Sequence, residues 1–332
     1  MSLDNGLLAL VHPDARLTDG VDCWDVAQLR QAVAAWQQAL DDLAVQVVAF
    51  DLPNGLEWVA LDIALLESGR VAVPLPSFFT AAQRAHALAN SGAQALVTNT
   101  NTQPHADGAG RRVIRNLFVE RLRPSVALQL PEDTALVTYT SGSTGAPKGI
   151  CLSAATLLET AQSIVAALHD VGVERHLCVL PLTLLLENTA GLFANLINGS
   201  EIHVPNLTSI GIGGSSDLNI TDFVEGIGWH APHSLILVPA LLLGLTAASE
   251  FGLADFTHLK FVAVGGGRVA ATLLERAATQ LLPVFEGYGL TECGSVVAMN
   301  TPAEHCPGTV GRLLPHVRAT VIDGELRVAH PR

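Results

Sequence analysis

Short β-rich runs alternate with amphipathic helices along this chain of 332 residues, and that alternation restricts the available folds more than any other feature. Leu29, Val33, Trp36, Leu40 and Leu43 recur at helical spacing over 24–44, with Gln and Asp on the opposite face. A β-rich run over 45–50, a turn over 51–55 and a helix through about 68 follow. Next come a strand over 70–75, a helix near 81–91 and a strand-like run over 95–98. Strands that alternate with helices predict an α/β fold, with parallel strands in the sheet and helices on its faces.

Residues 99–112 are polar and glycine-bearing, which predicts a surface loop. Alternation resumes with a strand over 134–140, a helix over roughly 153–168, and strand-like runs at 177–180, 201–204, 234–238 and 260–264. The stretch 226–249 carries no Asp, Glu, Lys or Arg. Its unbroken apolar part is too short to span a bilayer, so it reads as a buried strand followed by a helix. From Gly308 the pattern changes: runs over 317–322 and 325–328 flank Asp323-Gly324, the signature of a tight β-hairpin.

Charged residues make up 15% of the chain against about 25% in a typical soluble protein. With 49% hydrophobic residues, this implies much buried surface, or an apolar face that a partner covers. The net charge of −13 comes from scattered acids, and no basic stripe exists to neutralise phosphates, which excludes a nucleic-acid partner. The five cysteines include no Cys-x-x-Cys pair, so they read as reduced thiols of a cytoplasmic protein, with Cys293 a buried filler. No basic region followed by an apolar core opens the chain, and no secretion signal or membrane span is expected.

The densest chemistry lies at 138–149, Thr-Tyr-Thr-Ser-Gly-Ser-Thr-Gly-Ala-Pro-Lys-Gly. Gly142 and Gly145 let backbone N–H groups approach an anion, and Thr140, Ser141, Ser143 and Thr144 add uncharged donors. Lys148 supplies a mobile point charge for terminal phosphates. No Gly-Lys-Ser/Thr follows at the P-loop spacing, so this is a polyphosphate loop of another kind. The order Ser141-Gly142-Ser143-Thr144-Gly145-Ala146-Pro147-Lys148-Gly149 resembles the signature loop of the adenylate-forming enzymes. That superfamily includes acyl-CoA synthetases, peptide-synthetase adenylation domains and beetle luciferase.

A second constellation is Glu286-Gly287-Tyr288-Gly289-Leu290-Thr291-Glu292. A Tyr between glycines can lay its ring on a base, Thr291 can donate to a phosphate, and Glu292 can hold a hard cation. Taken alone, a strand-end turn with a capping Glu explains the run equally well. It resembles the family's Tyr-Gly-x-Thr-Glu motif, which implies that Tyr288 stacks on adenine, Thr291 contacts phosphate, and Glu292 binds magnesium with Thr144. Gly265, Gly266 and Gly267 stand where the family keeps a Gly-Gly element beside the adenine and the acyl group. The run 180–188 looks like its acyl-pocket segment, which assigns Leu182, Leu184, Glu187 and Asn188, with Gly266, to the substrate pocket. Family members often have a His or aromatic where Leu184 stands. The competing reading of 180–188 is a buried helix start with a solvated Glu187.

Other signals are weaker. His230 and His233 are three apart, but Pro232 breaks the helix that would align them on a metal. Residues 211–216 read as a flexible polar loop, and His176 and His203 as ordinary core or surface residues.

The resemblance runs from about residue 25 to the last residue. It implies the large N-terminal domain of the adenylate-forming fold: stacked mixed and parallel sheets with flanking helices, in two subdomains. These are 1–170 with the phosphate loop and 171–304 with the acyl and adenine pocket, followed at 305–332 by the start of a small β-barrel subdomain. The family's small C-terminal domain is not recognised in the chain. The implied reaction is ATP-dependent activation of a carboxylic acid, fatty or otherwise apolar, to an acyl-adenylate, followed by thioester formation with CoA. Lys148, Thr291 and Glu292 would be its catalytic groups, and ATP, Mg2+ and CoA its cofactors. Without the covering domain, catalysis by this chain is expected to be slow or absent, and an open apolar cleft favours a homodimer. Two rival readings are an adenylation enzyme that loads the phosphopantetheine of a carrier protein and a non-catalytic nucleotide- or acyl-binding module.

Overall fold

The computed structural model describes residues 6–100, 111–123, 129–140, 147–213 and 217–330. The chain divides into two compact units, Met1–Ala9 with Ala27–Ala154 and Leu10–Val26 with Ala155–Arg332.

In the first unit the described residues form a seven-stranded sheet. Its order is Arg111–Ile114, Leu117–Arg121, Ala95–Thr98, Val47–Asp51, Val71–Pro74, Thr134–Thr140, Lys148–Ser153. The central pairings are parallel, as the alternation predicts, and antiparallel strands finish both edges. Helix Leu56–Glu67 connects two central strands and is apolar on every side, so from Leu56 to Leu65 only Glu57 escapes burial. Glu57 accepts from Trp36 Nε1 at 3.0 Å and pairs with Arg115 Nη2 at 2.7 Å.

Arg115 and Asn116, with φ of 49° and 63°, turn the hairpin Arg111–Ile114/Leu117–Arg121. The polar composition of 99–112 conceals the first of these strands, because the turn lacks the Asn-Gly or Asp-Gly pair that marks such hairpins. A second correction concerns the phosphate loop. Its C-terminal flank is the strand Lys148–Ser153, with Thr140 opposite Lys148, and helix Ala154–Leu168 begins only afterwards. Gly149 weakens the strand signal there. The hairpin is held down by Tyr139, whose buried hydroxyl donates to Ala87 O at 2.9 Å and whose pKa burial pushes up to about 12. His86 Nε2 lies 3.1 Å from Pro147 O at the far end of the loop.

The second unit is built on a nine-stranded sheet. Its order is Arg312–Leu313, Ser295–Met299, Val284–Leu290, Phe261–Val264, Ser234–Leu237, Arg175–Leu177, Glu201–His203, Arg16–Thr18, Cys23–Asp25. Five consecutive pairings in the middle are parallel. Leu177, Leu235, Leu237, Val262 and Val264 from these strands meet Phe223, Leu242 and Leu245 from the covering helices in one core. Burying each such side chain is worth about 1.5–3 kcal/mol. Arg318–Ile322 and Glu325–Ala329 form a separate hairpin across Asp323 (φ 53°) and Gly324 (φ 80°), the turn that Asp-Gly predicts. No helix among the described residues is long and apolar enough to cross a membrane.

Candidate functional site

Parallel strands leave their C-terminal ends at one edge, where the loops that follow can converge on a ligand. In the second unit Phe261–Val264 runs into Gly265-Gly266, and its neighbour Val284–Leu290 carries Tyr288. Tyr288 therefore lies within a strand and not in the strand-end turn that is the alternative explanation of that run. The flanking glycines have a backbone reason. A Cβ on Gly289 would stand 2.0 Å from Ser295 O, so the antiparallel strand Ser295–Met299 can close only onto a bare α-carbon. The register shifts between Tyr288 and Gly289, and Ser295 adopts φ 103°, which a side-chain-bearing residue rarely does. Strain of this kind concentrates at ligand sites.

These elements border a cavity of about 340 Å³, within the range of small-molecule sites. Among the described residues, those lining it belong to the second unit. One part is formed by Gly265, Gly266, Gly287, Tyr288, Gly289 and Thr291. The rest is largely aliphatic and includes Ile164, Leu168, Leu184, Leu186, Ala190 and Ile236, with His176 and Ser234 among them. Of the residues assigned to the acyl pocket from sequence, Leu184 and Gly266 border the cavity. Leu182 and Asn188 are buried without bordering it.

Glu187 is fully buried, and the solvated reading of it is overturned. It opens a π-helical stretch, Glu187–Phe193, a geometry that recurs at functional sites. Its Oε1 lies 3.0 Å from His176 Nε2, and its Oε2 accepts from Leu180 N at 2.9 Å. His176 Nδ1 in turn lies 2.8 Å from Ser234 Oγ. Cys178 approaches the same carboxyl, and burial first, then Glu187, pushes its thiol pKa well up. The ligand atoms of His176, Cys178 and Glu187 are close enough to share an ion, and in the structure Glu187 links His176 and the Leu180 amide by hydrogen bonds.

Gly267 follows Gly266 with Pro239 3.6 Å from where its Cβ would be, and it does not border the cavity. Glu286 is half-buried, its pKa raised by burial, and its backbone oxygen accepts from Asn300 N at 2.9 Å. Glu292 is exposed on the short turn Thr291–Cys293 and forms no ion pair among the described residues. An exposed, unpaired carboxylate fits the chemistry of a magnesium ligand. In the first unit Thr140 ends one hairpin strand and Lys148 begins the other, with an exposed side chain. Ser141, Gly142, Ser143, Thr144 and Gly145 lie outside the described residues.

The family model for AMP-binding enzymes matches residues 11–332. The chain belongs to this family. This AMP-binding enzyme is similar to a probable CoA ligase of Humulus lupulus, 26% identical over 295 residues, which cover 80% of the chain and 54% of the relative. An acyl-CoA synthetase of Alternaria alternata is 27% identical over 308 residues, 79% of the chain and 52% of the relative. The fold matches that of the anthranilate CoA ligase solved with anthranoyl-AMP, with a TM-score of 0.79 at 18% identity. That match covers 99% of the chain and 67% of the other. The AMP-binding enzyme thus spans about half the length of the curated relatives it matches. Its described part has the mixed α/β fold of the large N-terminal domain of adenylate-forming enzymes.

Sequence reasoning missed His176 and Ser234. They are paired in register on neighbouring parallel strands although 58 residues apart. No local signal announces such a pairing.

Proposed function

We propose that this chain carries the acid-activating machinery of an AMP-forming acid–thiol ligase. The reaction is attack of a carboxylate on the α-phosphorus of ATP, with pyrophosphate leaving and an acyl-adenylate formed. In the complete protein the acyl group then passes to CoA. The observation that carries this reading is the cavity of the second unit, which puts a glycine shelf, Tyr288 and Thr291 against an aliphatic chamber. The shelf and ring suit a flat base, and the chamber suits the apolar part of an acid. Support also comes from the relatives named as CoA ligases and from the structural relative crystallised with anthranoyl-AMP.

The reacting carboxylate is itself a nucleophile, so the protein's work is positioning and charge neutralisation. Tyr288 stacks on adenine and Thr291 donates to a phosphate oxygen. Thr140, Lys148 and the intervening loop hold the β- and γ-phosphates. Glu292 would hold the magnesium ion, which supplies charge neutralisation of the departing pyrophosphate. Leu184 and Leu186 take the apolar body of the acid, which favours fatty or other apolar acids over amino acids. CoA rather than a carrier protein is the acceptor.

ATP–pyrophosphate exchange across a panel of carboxylic acids, with the chain as it stands and in its longest natural form, tests this. At least one apolar acid should support exchange in the longest form. Lys148→Ala should lower it by about two orders of magnitude, and Glu292→Gln should raise the magnesium concentration needed. Exchange that no acid supports, or that ignores Lys148→Ala, refutes the assignment.

A further inference from the structure

Resting on that reading, we infer that the cavity contains a second, polar subsite at Ser234, which recognises a hydroxyl group on the tail of an otherwise apolar acid. The cavity wall there is unlike the rest. Among leucines and isoleucines it carries His176 and Ser234, which are 1% and 4% exposed, backed by the fully buried Glu187. The neighbouring polar residues are already engaged. Asn195 donates to Gly191 O at 2.7 Å and accepts from Ser200, and Asn198 donates to Val173 O at 2.9 Å. Ser234 makes a side-chain hydrogen bond to His176 alone among the described residues, so its oxygen keeps a lone pair for a ligand.

The network also sets which kind of ligand atom is accepted. Glu187 faces His176 Nε2 at 3.0 Å, and an acceptor carboxyl there requires that nitrogen to carry the proton. In the neutral ring Nδ1 is then an acceptor, so the Ser234 O–H donates to it across 2.8 Å. What Ser234 presents to the cavity is therefore a lone pair, which takes a donor such as O–H and offers nothing to a ketone. Gly191 confirms that the arrangement has been given room: a Cβ there would stand 2.0 Å from Glu187 Oε1 and 2.8 Å from His176 Nε2.

Position adds a length requirement. Ser234 is in register with Phe261, and Gly265 follows four residues later, so the subsite lies about 13 Å along the strands from the glycine shelf. The preferred acid is one whose hydroxyl reaches that depth when its carboxylate lies at the shelf. Glu187 and His176 act here as positioning residues, and Ser234 is the ligand-touching group.

The test is calorimetric binding, to the whole chain at neutral to mildly alkaline pH, of straight-chain (ω−1)-hydroxy acids, the matched (ω−1)-keto acids and the unsubstituted acids. One length of (ω−1)-hydroxy acid should bind about tenfold more tightly than its unsubstituted partner, equivalent to about 1.4 kcal/mol, with the keto acid no better than the unsubstituted one. Ser234→Ala should erase that preference and leave the unsubstituted acid within about twofold. Glu187→Gln gives a readout that mere destabilisation cannot imitate. Leu180 N–H needs an acceptor, which holds the amide oxygen in place and turns the amide NH2 toward His176. That reverses the chain of donors, so the Ser234 proton faces the cavity and the keto acid gains over the hydroxy acid. Wild-type protein that shows no hydroxyl preference at any length overturns the subsite without needing a folded variant. ATP–pyrophosphate exchange in parallel separates the two readings. Equal exchange with hydroxy and unsubstituted acids removes the subsite alone, whereas no exchange with any acid removes the activity.

Discussion

At Gly191 a single methyl group would collide with both members of a buried pair, Glu187 and His176. Separating such a pair leaves polar groups unsatisfied in a place water does not reach, which costs about 3–5 kcal/mol. Gly191→Ala should therefore lower the urea midpoint by that equivalent, and a variant as stable as wild type would show that the pair can shift freely. Residue identity was legible in the sequence only in part. Glu187 was picked out as a pocket residue, but its burial and partner were not, because both depend on which strands become neighbours. His176 looked ordinary for the same reason. Tyr288 and Thr291 sit in one short run and Gly266 in another, so these local motifs can be picked out without knowing which strands pair, and all three border the cavity.

Elements repeat this division between local and distant causes. Strands at 95–98 and 134–140 and the helix at 81–91 lie where the hydrophobic pattern puts them. The helix even carries its own boundaries, a Thr80/Gln83 capping box and a left-handed Gly92. The edge strands Arg111–Ile114 and Lys148–Ser153 are short and open on Arg111-Arg112 and Lys148-Gly149, so their apolar residues are too few to announce a strand that a neighbour's backbone completes. Taken alone, the run around Tyr288 admits a strand-end turn as readily as a ligand motif. The strand instead needs glycine where Ser295–Met299 closes over it. Gly289→Ala should force these strands apart and destabilise the chain by about 1–3 kcal/mol. Amide hydrogen exchange should report the change first in 284–299, and protection left intact there would contradict the close-approach argument.

For the molecule as a whole, the buried histidines tie folding to acidity. His230 and His316 are both pushed down to about 4, by burial first and then by His203 and His330 beside them. Unfolded, each takes up its proton near pH 6.5, but folded only near about 4. Between those values the unfolded chain binds more protons, so stability is lost as pH falls through that window. The urea midpoint should decline steadily from about pH 6.5 toward about pH 4, and His316→Gln should flatten part of the slope. A flat midpoint over that range would mean the two rings stay accessible to protons in the native state. Among the described residues, the cavity is bordered by the second unit. On the proposed activity, evolution or a protein engineer can then retune which metabolite the catalyst selects by editing that wall, while the phosphate-gripping hairpin is inherited unaltered.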